Sequence, residues 1–256
     1  MTNPTAAFLI IGNEVLSGRT REGNLQVLAE KLAPQGIEVQ ESRVVRDVAT
    51  EIIAAVQALC ARYTYVFTSG GIGPTHDDIT AAAVAKAFDL TLHEDPAARA
   101  ALLSHYGEAE LTQARLKMAQ VPTGARLIDN PVSKAPGFWI ENVLIMAGVP
   151  KIFAALVDSA LPFLAGGTPV LSATLVAQVG ESLIADLMAE VEAGFEGLTI
   201  GSYPYFRQGA TGTSLVVRSV DKDKIEAALK ALKQGLDARG HLYDDQGIQD
   251  PQGSVQ

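Results

Sequence analysis

The chain has 256 residues, 48% of them hydrophobic and 19% charged, with a formal net charge of −9. This length and composition indicate one large globular domain or a medium and a small one, and the acidic balance argues against nucleic acid or an anionic membrane as a partner. The single cysteine, Cys60, excludes an intramolecular disulfide and any metal site built from several cysteines. No N-terminal targeting signal and no apolar run of membrane-spanning length are visible, so we expect a cytoplasmic protein.

The first half of the chain alternates strand-like and helix-like patterns. The predicted elements are a strand over 6–11, a helix opening at Asn24, a strand over 37–45, a helix over 50–62 and a strand over 64–68. This β-α-β-α-β order predicts a mostly parallel sheet covered by helices on both faces, in which ligands bind at the carboxyl ends of the strands. Gly12, Asp47 and Gly70 each follow a predicted strand, so they mark the expected binding edge.

A glycine-rich turn from Ser69 to Thr80 joins the strand over 64–68 to the next helix. Its candidate ligand-binding residues are Ser69, Gly70, Gly71, Gly73, Pro74, Thr75 and Thr80. Glycines let the backbone approach a phosphate closely, and the N-terminus of the following helix offers free N–H groups. The turn also carries Asp77 and Asp78, which would repel a bare phosphate. We therefore expect a divalent cation, Mg²⁺, Mn²⁺ or Co²⁺, between them and the ligand. The competing interpretation is that both carboxylates only cap the helix.

The loop after the first strand supplies a second set of candidates. Its residues that could contact a ligand are Gly12, Asn13, Glu14, Ser17 and Gly18, followed by Asn24 at the start of the helix. Glu14 is a further candidate metal ligand, and Asp47 is a candidate catalytic residue together with Asp77 and Asp78.

The next part of the chain is helical over 95–120 with a break near Gly107, and a short strand over 126–128 follows. A hairpin is predicted over 139–146, and Pro150 suits the first turn of a helix that ends at residue 164. Around the hairpin lie the remaining candidate ligand-binding residues, which are Asn130, Ser133, Lys134, Gly137, Gly148 and Pro150.

Residues 165–169 read as a domain boundary. Beyond it, a β-α-β-β-α order over 170–243 predicts a second, smaller α/β sandwich domain. The polar tail over 244–256 is expected to be disordered.

Four motifs in order resemble the molybdopterin-binding MoaB/Mog fold. They are Gly12 to Gly18, Ser69 to Thr80, Asn130 to Phe138 and Ala147 to Pro150. The paired aspartates make the chain more similar to the N-terminal domain of the competence/damage-inducible protein CinA. The resemblance covers residues 6–165 and implies a three-layer α/β/α domain over 1–165, with molybdopterin or a nucleotide diphosphate as its ligand. It also implies a homo-oligomer, of a number that the residues do not fix.

For function the resemblance leaves three hypotheses open. CinA-type members imply metal-dependent hydrolysis of ADP-ribose-like pyrophosphates. A non-catalytic pterin- or nucleotide-binding module is the second hypothesis, and Mog-type adenylyl transfer to molybdopterin, which needs ATP, is the third. Asn13 stands where CinA-type sequences usually have aspartate, and Ser133-Lys134 where glycine and a small hydroxyl residue are common. The amidase domain of full-length CinA proteins does not follow in this sequence, so that activity is not expected.

Overall fold

The computed structural model describes residues 3–207 and 210–250. The chain divides into two compact units, Met1–Gly167 and Thr168–Gln256.

The first unit follows the predicted alternation and adds several short elements. In chain order they are β1 (Thr5–Ile11), α1 (Asn13–Leu16), α2 (Asn24–Leu32), β2 (Glu38–Val45), α3 (Ala49–Cys60), β3 (Tyr65–Ser69), α4 (Thr80–Ala87), β4 (Leu92–Glu94), α5 (Pro96–Tyr106), α6 (Gln113–Leu116), β5 (Gln120–Pro122), β6 (Arg126–Ile128), β7 (Gly137–Ile140), β8 (Val143–Met146) and α7 (Pro150–Ala160).

Six of these strands form one sheet in the order β2-β1-β3-β8-β7-β6. The first four strands run parallel, and β7 and β6 add an antiparallel edge that includes the predicted hairpin. The mostly parallel sheet predicted from the alternation is therefore confirmed.

The interior strand β1 shows why this sheet carries helices on both faces. Ala7, Leu9 and Ile11 pack with α3 and α4, whereas Phe8 and Ile10 pack with α2 and α7. Because successive side chains point to opposite faces, a strand that is apolar throughout must be buried on both sides. The three-layer α/β/α arrangement follows from this continuous apolar run.

Residues 92–122 leave this layered core and return to it. Their ends are β4 and β5, which pair with each other as a two-stranded antiparallel sheet. Between the strands, Asp95 begins α5 by accepting hydrogen bonds from the N–H groups of Ala97 and Ala98 at 2.8 and 2.9 Å. With Pro96 in the first turn, this cap matches the preferred start of a helix. Ala98, Leu102 and Ala119 form a small buried cluster of their own.

The second unit is built on an antiparallel sheet. Its elements are β9 (Leu171–Ala177), α8 (Ala185–Ala193), β10 (Thr199–Arg207), β11 (Ala210–Ser219), α9 (Lys222–Ala238) and β12 (Tyr243–Gln249), and the strand order is β10-β11-β9-β12. Alternate residues of β9 and β11, among them Leu175 and Leu215, pack against α8 and α9.

The prediction of a disordered tail from residue 244 onward is wrong for Asp244–Gln249. These residues belong to β12, which pairs with β9 across an irregularity between Asp245 and Ile248. Only Tyr243 and Ile248 of this strand pack against the core, so the segment has no apolar alternation to reveal it. Residues 251–256 of the predicted tail lie outside the described residues.

Candidate ligand-binding site

The carboxyl end of β1 is fixed by contacts with the neighbouring β2. The Gly12 N–H donates to the Val45 carbonyl at 3.1 Å, and the Asn13 N–H donates to Asp47 Oδ2 at 2.8 Å. The predicted loop after Gly12 contains the short helix α1, and Glu14 lies in this helix. Asp47, a predicted catalytic residue, is thus observed to hold the start of α1 through this hydrogen bond.

The ends of β1, β3 and β8 come together at Gly70. This residue has a φ of +110°, and a Cβ added to it would lie 2.2 Å from the Ile11 carbonyl oxygen. Its N–H donates to the Met146 carbonyl at 3.1 Å. A Cβ added to Gly148 would in turn lie 3.3 Å from the Gly70 Cα. Only glycine allows the backbones to approach one another this closely. The close approach of this turn to a phosphate stays a prediction.

The first turn of α4 is hydrogen-bonded to the glycine-rich turn through Thr80. Thr80 is fully buried, its hydroxyl donates to the Gly70 carbonyl at 3.0 Å, and its N–H donates to the Gly71 carbonyl at 3.0 Å. Gly71 has a φ of +70°, and an added Cβ would lie 2.1 Å from Thr80 Oγ1. The contacts that Thr80 makes are therefore with backbone rather than with an open cavity.

The paired aspartates are engaged by the turn itself. Asp78 Oδ2 accepts a hydrogen bond from the Thr75 N–H at 2.8 Å, and the Thr75 hydroxyl lies within hydrogen-bond distance of both carboxylates. The hydrogen bond from Thr75 lowers the pKa of Asp77, and the charges of His76 and Lys117 act in the same direction. Lys117 also donates to the Thr75 carbonyl. Both carboxylates therefore bond within the turn to Thr75. The interpretation that they cap the helix is wrong, because α4 begins at Thr80, has no side-chain cap at Ile79 and has no acidic residue in its first turn.

Asn130 organises the loop between β6 and β7. It is 1% exposed, its amide donates to Ser133 Oγ and to the Ala135 carbonyl at 2.7 Å each, and its Oδ1 accepts from the Val132 and Ser133 N–H groups. Lys134 adopts a φ of +60°, and its N–H donates to the Asn130 carbonyl at 3.1 Å. The side chain of Asn130 therefore sets the shape of this loop.

These loops and the start of α7 surround a cavity of about 530 Å³ at the carboxyl edge of the sheet. Its predicted lining residues are Glu14, Gly70, Gly71, Gly73, Pro74, Asp78, Asn130, Ser133, Gly148 and Pro150. Two separate predictions, the glycine-rich turn and the loop after Asn130, are thereby brought to one place.

A smaller cavity of about 60 Å³ adjoins the first and shares Glu14, Gly70, Gly148 and Pro150 with it. Asn24 and Ser69 also line this smaller cavity. The Asn24 amide donates to Ser69 Oγ and to the Gly148 carbonyl at 2.9 Å each. Asn24 is 5% exposed, and its Oδ1 has no hydrogen-bond partner among the described residues. A buried acceptor left without a donor is a place where a water molecule or a ligand donor fits.

The remaining predicted site residues do not line either cavity. They are Gly12, Asn13, Ser17, Gly18, Asp47, Thr75, Asp77, Thr80, Lys134 and Gly137. Gly137 instead lies in β7, where an added Cβ would come within 2.7 Å of the Ile145 carbonyl oxygen.

Sequence reasoning missed one side of the large cavity. The additional lining residues are Thr20, Ile72, Tyr106, Met118, Ala135, Ala147, Val149 and Ile152. Four of them lie inside motifs that the sequence did single out, namely Ile72, Ala135, Ala147 and Val149, and Ile152 lies beside one. Tyr106 and Met118 belong to the segment 92–122, and no local pattern links that segment to the glycine-rich turn.

In the described part of the chain, no three Asp, Glu, His or Cys side chains lie close enough together to hold a metal ion. The predicted set of Asp77, Asp78 and Glu14 is therefore not assembled as a three-ligand centre. Glu14 and Asp78 do line the same cavity. Two carboxylates suit Mg²⁺, which proteins commonly bind through one or two carboxylates together with substrate phosphates.

The described helices include none with both the length and the apolar character needed to span a bilayer.

The fold and the cavity define an α/β protein with a binding site at the carboxyl edge of a mostly parallel sheet. Residues 7–166 match the family described as "Probable molybdopterin binding domain", and residues 169–245 match "FAD synthase, middle domain". The chain therefore belongs to the molybdopterin-binding-domain family, which confirms the resemblance to MoaB/Mog proteins.

Individual relatives support the same assignment. A crystal structure of the protein CinA from Thermoplasma acidophilum superposes with a TM-score of 0.60 at 36% identity, covering 64% of this chain and 99% of that one. A CinA-like protein of Desulfosudis oleivorans is 34% identical over 77% of this chain. A probable FAD synthase of Caenorhabditis briggsae is 32% identical over 94% of this chain. The chain spans about half of each of these last two proteins, 51% in both cases.

Proposed function

We propose that the first unit binds a nucleotide diphosphate or molybdopterin in the cavity of about 530 Å³. The observation that carries this proposal is the composition of the cavity wall, in which closely packed glycines, two carboxylates and the start of α7 lie beside apolar side chains. Its volume falls within the range of small-molecule sites. The similarity to a probable FAD synthase and to CinA proteins is consistent with a ligand of this class.

The start of α7 and the glycine-rich turn would receive the phosphates. Gly148, Val149 and Pro150 line the cavity where this eleven-residue helix begins, and the first turn of a helix offers unpaired N–H groups and a positive dipole end. Gly70 and Gly71 bring further backbone close to the same space.

Glu14 and Asp78 would hold a divalent cation beside those phosphates. When bound, such a cation supplies charge neutralisation and an activated water for cleavage of a pyrophosphate bond. The hydrogen bond from the Thr75 N–H orients the Asp78 carboxylate. Glu14 would provide the second carboxylate ligand from α1, the short helix after β1. Hydrolysis of ADP-ribose at this bond would consume one water and give AMP and ribose 5-phosphate.

The test is to incubate the protein with ADP-ribose or FAD in the presence of Mg²⁺, Mn²⁺, Co²⁺ or EDTA, and to measure both binding and products. Asp78→Asn is the informative variant because the amide oxygen still accepts from Thr75 while the charge is lost. Glu14→Gln removes the other charge, and Asp158→Asn is the control, since Asp158 is an exposed carboxylate paired with Lys31.

We expect metal-dependent turnover that falls at least about 100-fold in Asp78→Asn and Glu14→Gln and is unchanged in Asp158→Asn. Binding without turnover would leave a non-catalytic binding module. Neither binding nor turnover with any of these ligands, or with molybdopterin, would refute the proposed function.

A further inference from the structure

The large cavity has two chemically different ends, and each end adjoins a different small cavity. The small cavity at Asn24 adjoins the end formed by Glu14, Thr20, Gly148 and Pro150. Another small cavity, also of about 60 Å³, adjoins the other end and shares Ile72, Gly73, Asp78 and Met118 with it. The first end lies at the start of α7 and carries Glu14 and Thr20, and we call it the polar end. The second end carries Ile72 and Met118, and we call it the apolar end, although the Asp78 carboxylate also lines it. A cation held by Glu14 and Asp78 would therefore lie between the two ends.

Tyr106 lies with Met118 at the apolar end. Both side chains line the large cavity, and both pack on the buried cluster of Ala98, Leu102 and Ala119. This end therefore combines the segment 92–122 with the glycine-rich turn that follows β3.

The ring of Tyr106 is held in place by Arg115, another residue of the segment 92–122. The Arg115 guanidinium lies over the ring at 4.1 Å from its centroid. Arg115 is itself fixed, because it donates to the Glu110 carbonyl at 2.6 Å and to the Glu110 carboxylate at 3.1 Å. A ring supported in this way loses little conformational freedom when a ligand packs against it.

Resting on the proposed function, we propose that Tyr106 and Met118 form the binding surface for the planar heterocycle of the ligand. The heterocycle would lie at the apolar end while the phosphates lie at the polar end beside α7. Bases gain affinity by packing on aromatic side chains, and a methionine thioether adapts its shape to an aromatic ring. The ligands favoured are therefore those that carry a heterocycle as well as a pyrophosphate, rather than inorganic pyrophosphate or a sugar phosphate alone.

The test compares a probe that carries a heterocycle and sugars on its diphosphate with a probe that is the diphosphate alone. One is the α,β-methylene analogue of ADP-ribose, whose bridging carbon resists hydrolysis, and the other is inorganic pyrophosphate. Calorimetric titrations with Mg²⁺ present are made with the unaltered chain and with Tyr106→Leu and Tyr106→Phe. Phe163→Leu is the matched control, because Phe163 is also covered by an arginine, Arg126 at 3.7 Å, but does not line the cavity.

We expect Tyr106→Leu to raise the Kd of the analogue by about 10-fold to 100-fold and to leave the Kd of pyrophosphate unchanged. Tyr106→Phe should stay within about 3-fold of the unaltered chain, since it keeps the ring, and Phe163→Leu should have no effect.

Two results would overturn the inference alone. The first is an unchanged affinity of the analogue for Tyr106→Leu, and the second is an equal loss for both probes, which would mean that the ring only supports the cavity wall. If the unaltered chain binds neither probe, the inference fails for nucleotide diphosphates, and titrations with FAD and molybdopterin then decide whether the proposed function fails as well.

Discussion

The first unit places its cavity where parallel strands end, whereas the second unit has an antiparallel sheet whose successive strands end at opposite edges. In the first unit the ends of β1, β3 and β8 bring Ile11, Gly70 and Gly148 into close backbone contact. In the second unit Gly197 and Gly240 also have positive φ angles, +77° and +72°, but a Cβ added to either would meet nothing within 4 Å. At Gly70 the converging ends of parallel strands add crowding to the positive φ angle, whereas at Gly197 and Gly240 the backbone angle alone favours glycine.

The largest expected effect comes from adding a methyl group at one glycine in each unit and comparing the losses in stability. Gly70→Ala should lower the free energy of unfolding by about 3 kcal/mol or more, because strain at positive φ adds to a clash with the Ile11 carbonyl. Gly197→Ala should cost only about 1 kcal/mol, from the backbone angle alone. Urea unfolding measures both values. Trp139, the single tryptophan, reports the first unit by fluorescence, and circular dichroism reports both units.

Equal losses in these two variants would show that the contact at Gly70 relaxes easily. The crowding at the carboxyl edge would then not explain the glycines of this turn.

The second prediction separates the shape of the cavity from the stability of the unit that contains it. Asn130→Ala removes two donated and two accepted hydrogen bonds in a buried loop, so we expect a loss of about 2 kcal/mol together with weaker ligand binding. Asn142→Ala removes two hydrogen bonds, to the Cys60 and Tyr63 carbonyls, away from the cavity. It should destabilise the unit by about 1–2 kcal/mol without a change in Kd. Unchanged binding in Asn130→Ala would show that the loop is not part of the site.

The smallest expected effect concerns an exposed ion pair of the second unit. Arg239 donates to both oxygens of Asp186, at 2.7 and 2.8 Å, and these hydrogen bonds lower the pKa of Asp186 to about 2. Because the folded pKa lies below the ordinary value of 3.8, this contribution to stability is present above about pH 4 and is lost as the pH falls toward 2. The urea midpoint followed by circular dichroism should therefore fall less over this window in Asp186→Asn than in the unaltered chain. Parallel curves for the two proteins would exclude a role for the pair.

The layered core could be predicted from the sequence because its information is local. The apolar run at Phe8 to Ile11 and the helical spacing after Asn24 each predict one element, and their alternation predicts the parallel sheet. The strands β4, β5 and β12 could not be found in this way. The first two have three residues each, and β12 begins with Tyr243-Asp244-Asp245, so pairing with a neighbour rather than apolar alternation defines them.

In the site, too, residues with a local sequence pattern could be predicted, and residues placed by distant contacts could not. Glycines at strand ends predicted one side of the cavity, because positive φ angles and close backbone approach leave a sequence signal. The sequence equally predicted Thr80 as a ligand contact and Asp47 as a catalytic residue, yet their observed partners are backbone groups of the site itself. Tyr106 and Met118 carried no signal, since their place on the wall depends on how the segment 92–122 folds back onto the sheet.

That segment leaves the layered core of the first unit and returns to it through the paired strands β4 and β5, with Leu92 opposite Pro122. Its two ends are therefore neighbours in space, and its interior has a small buried cluster of its own. Because its ends are already neighbours, a change in the length or sequence of this segment would alter one wall of the cavity without requiring the sheet, the glycine-rich turn or the start of α7 to move.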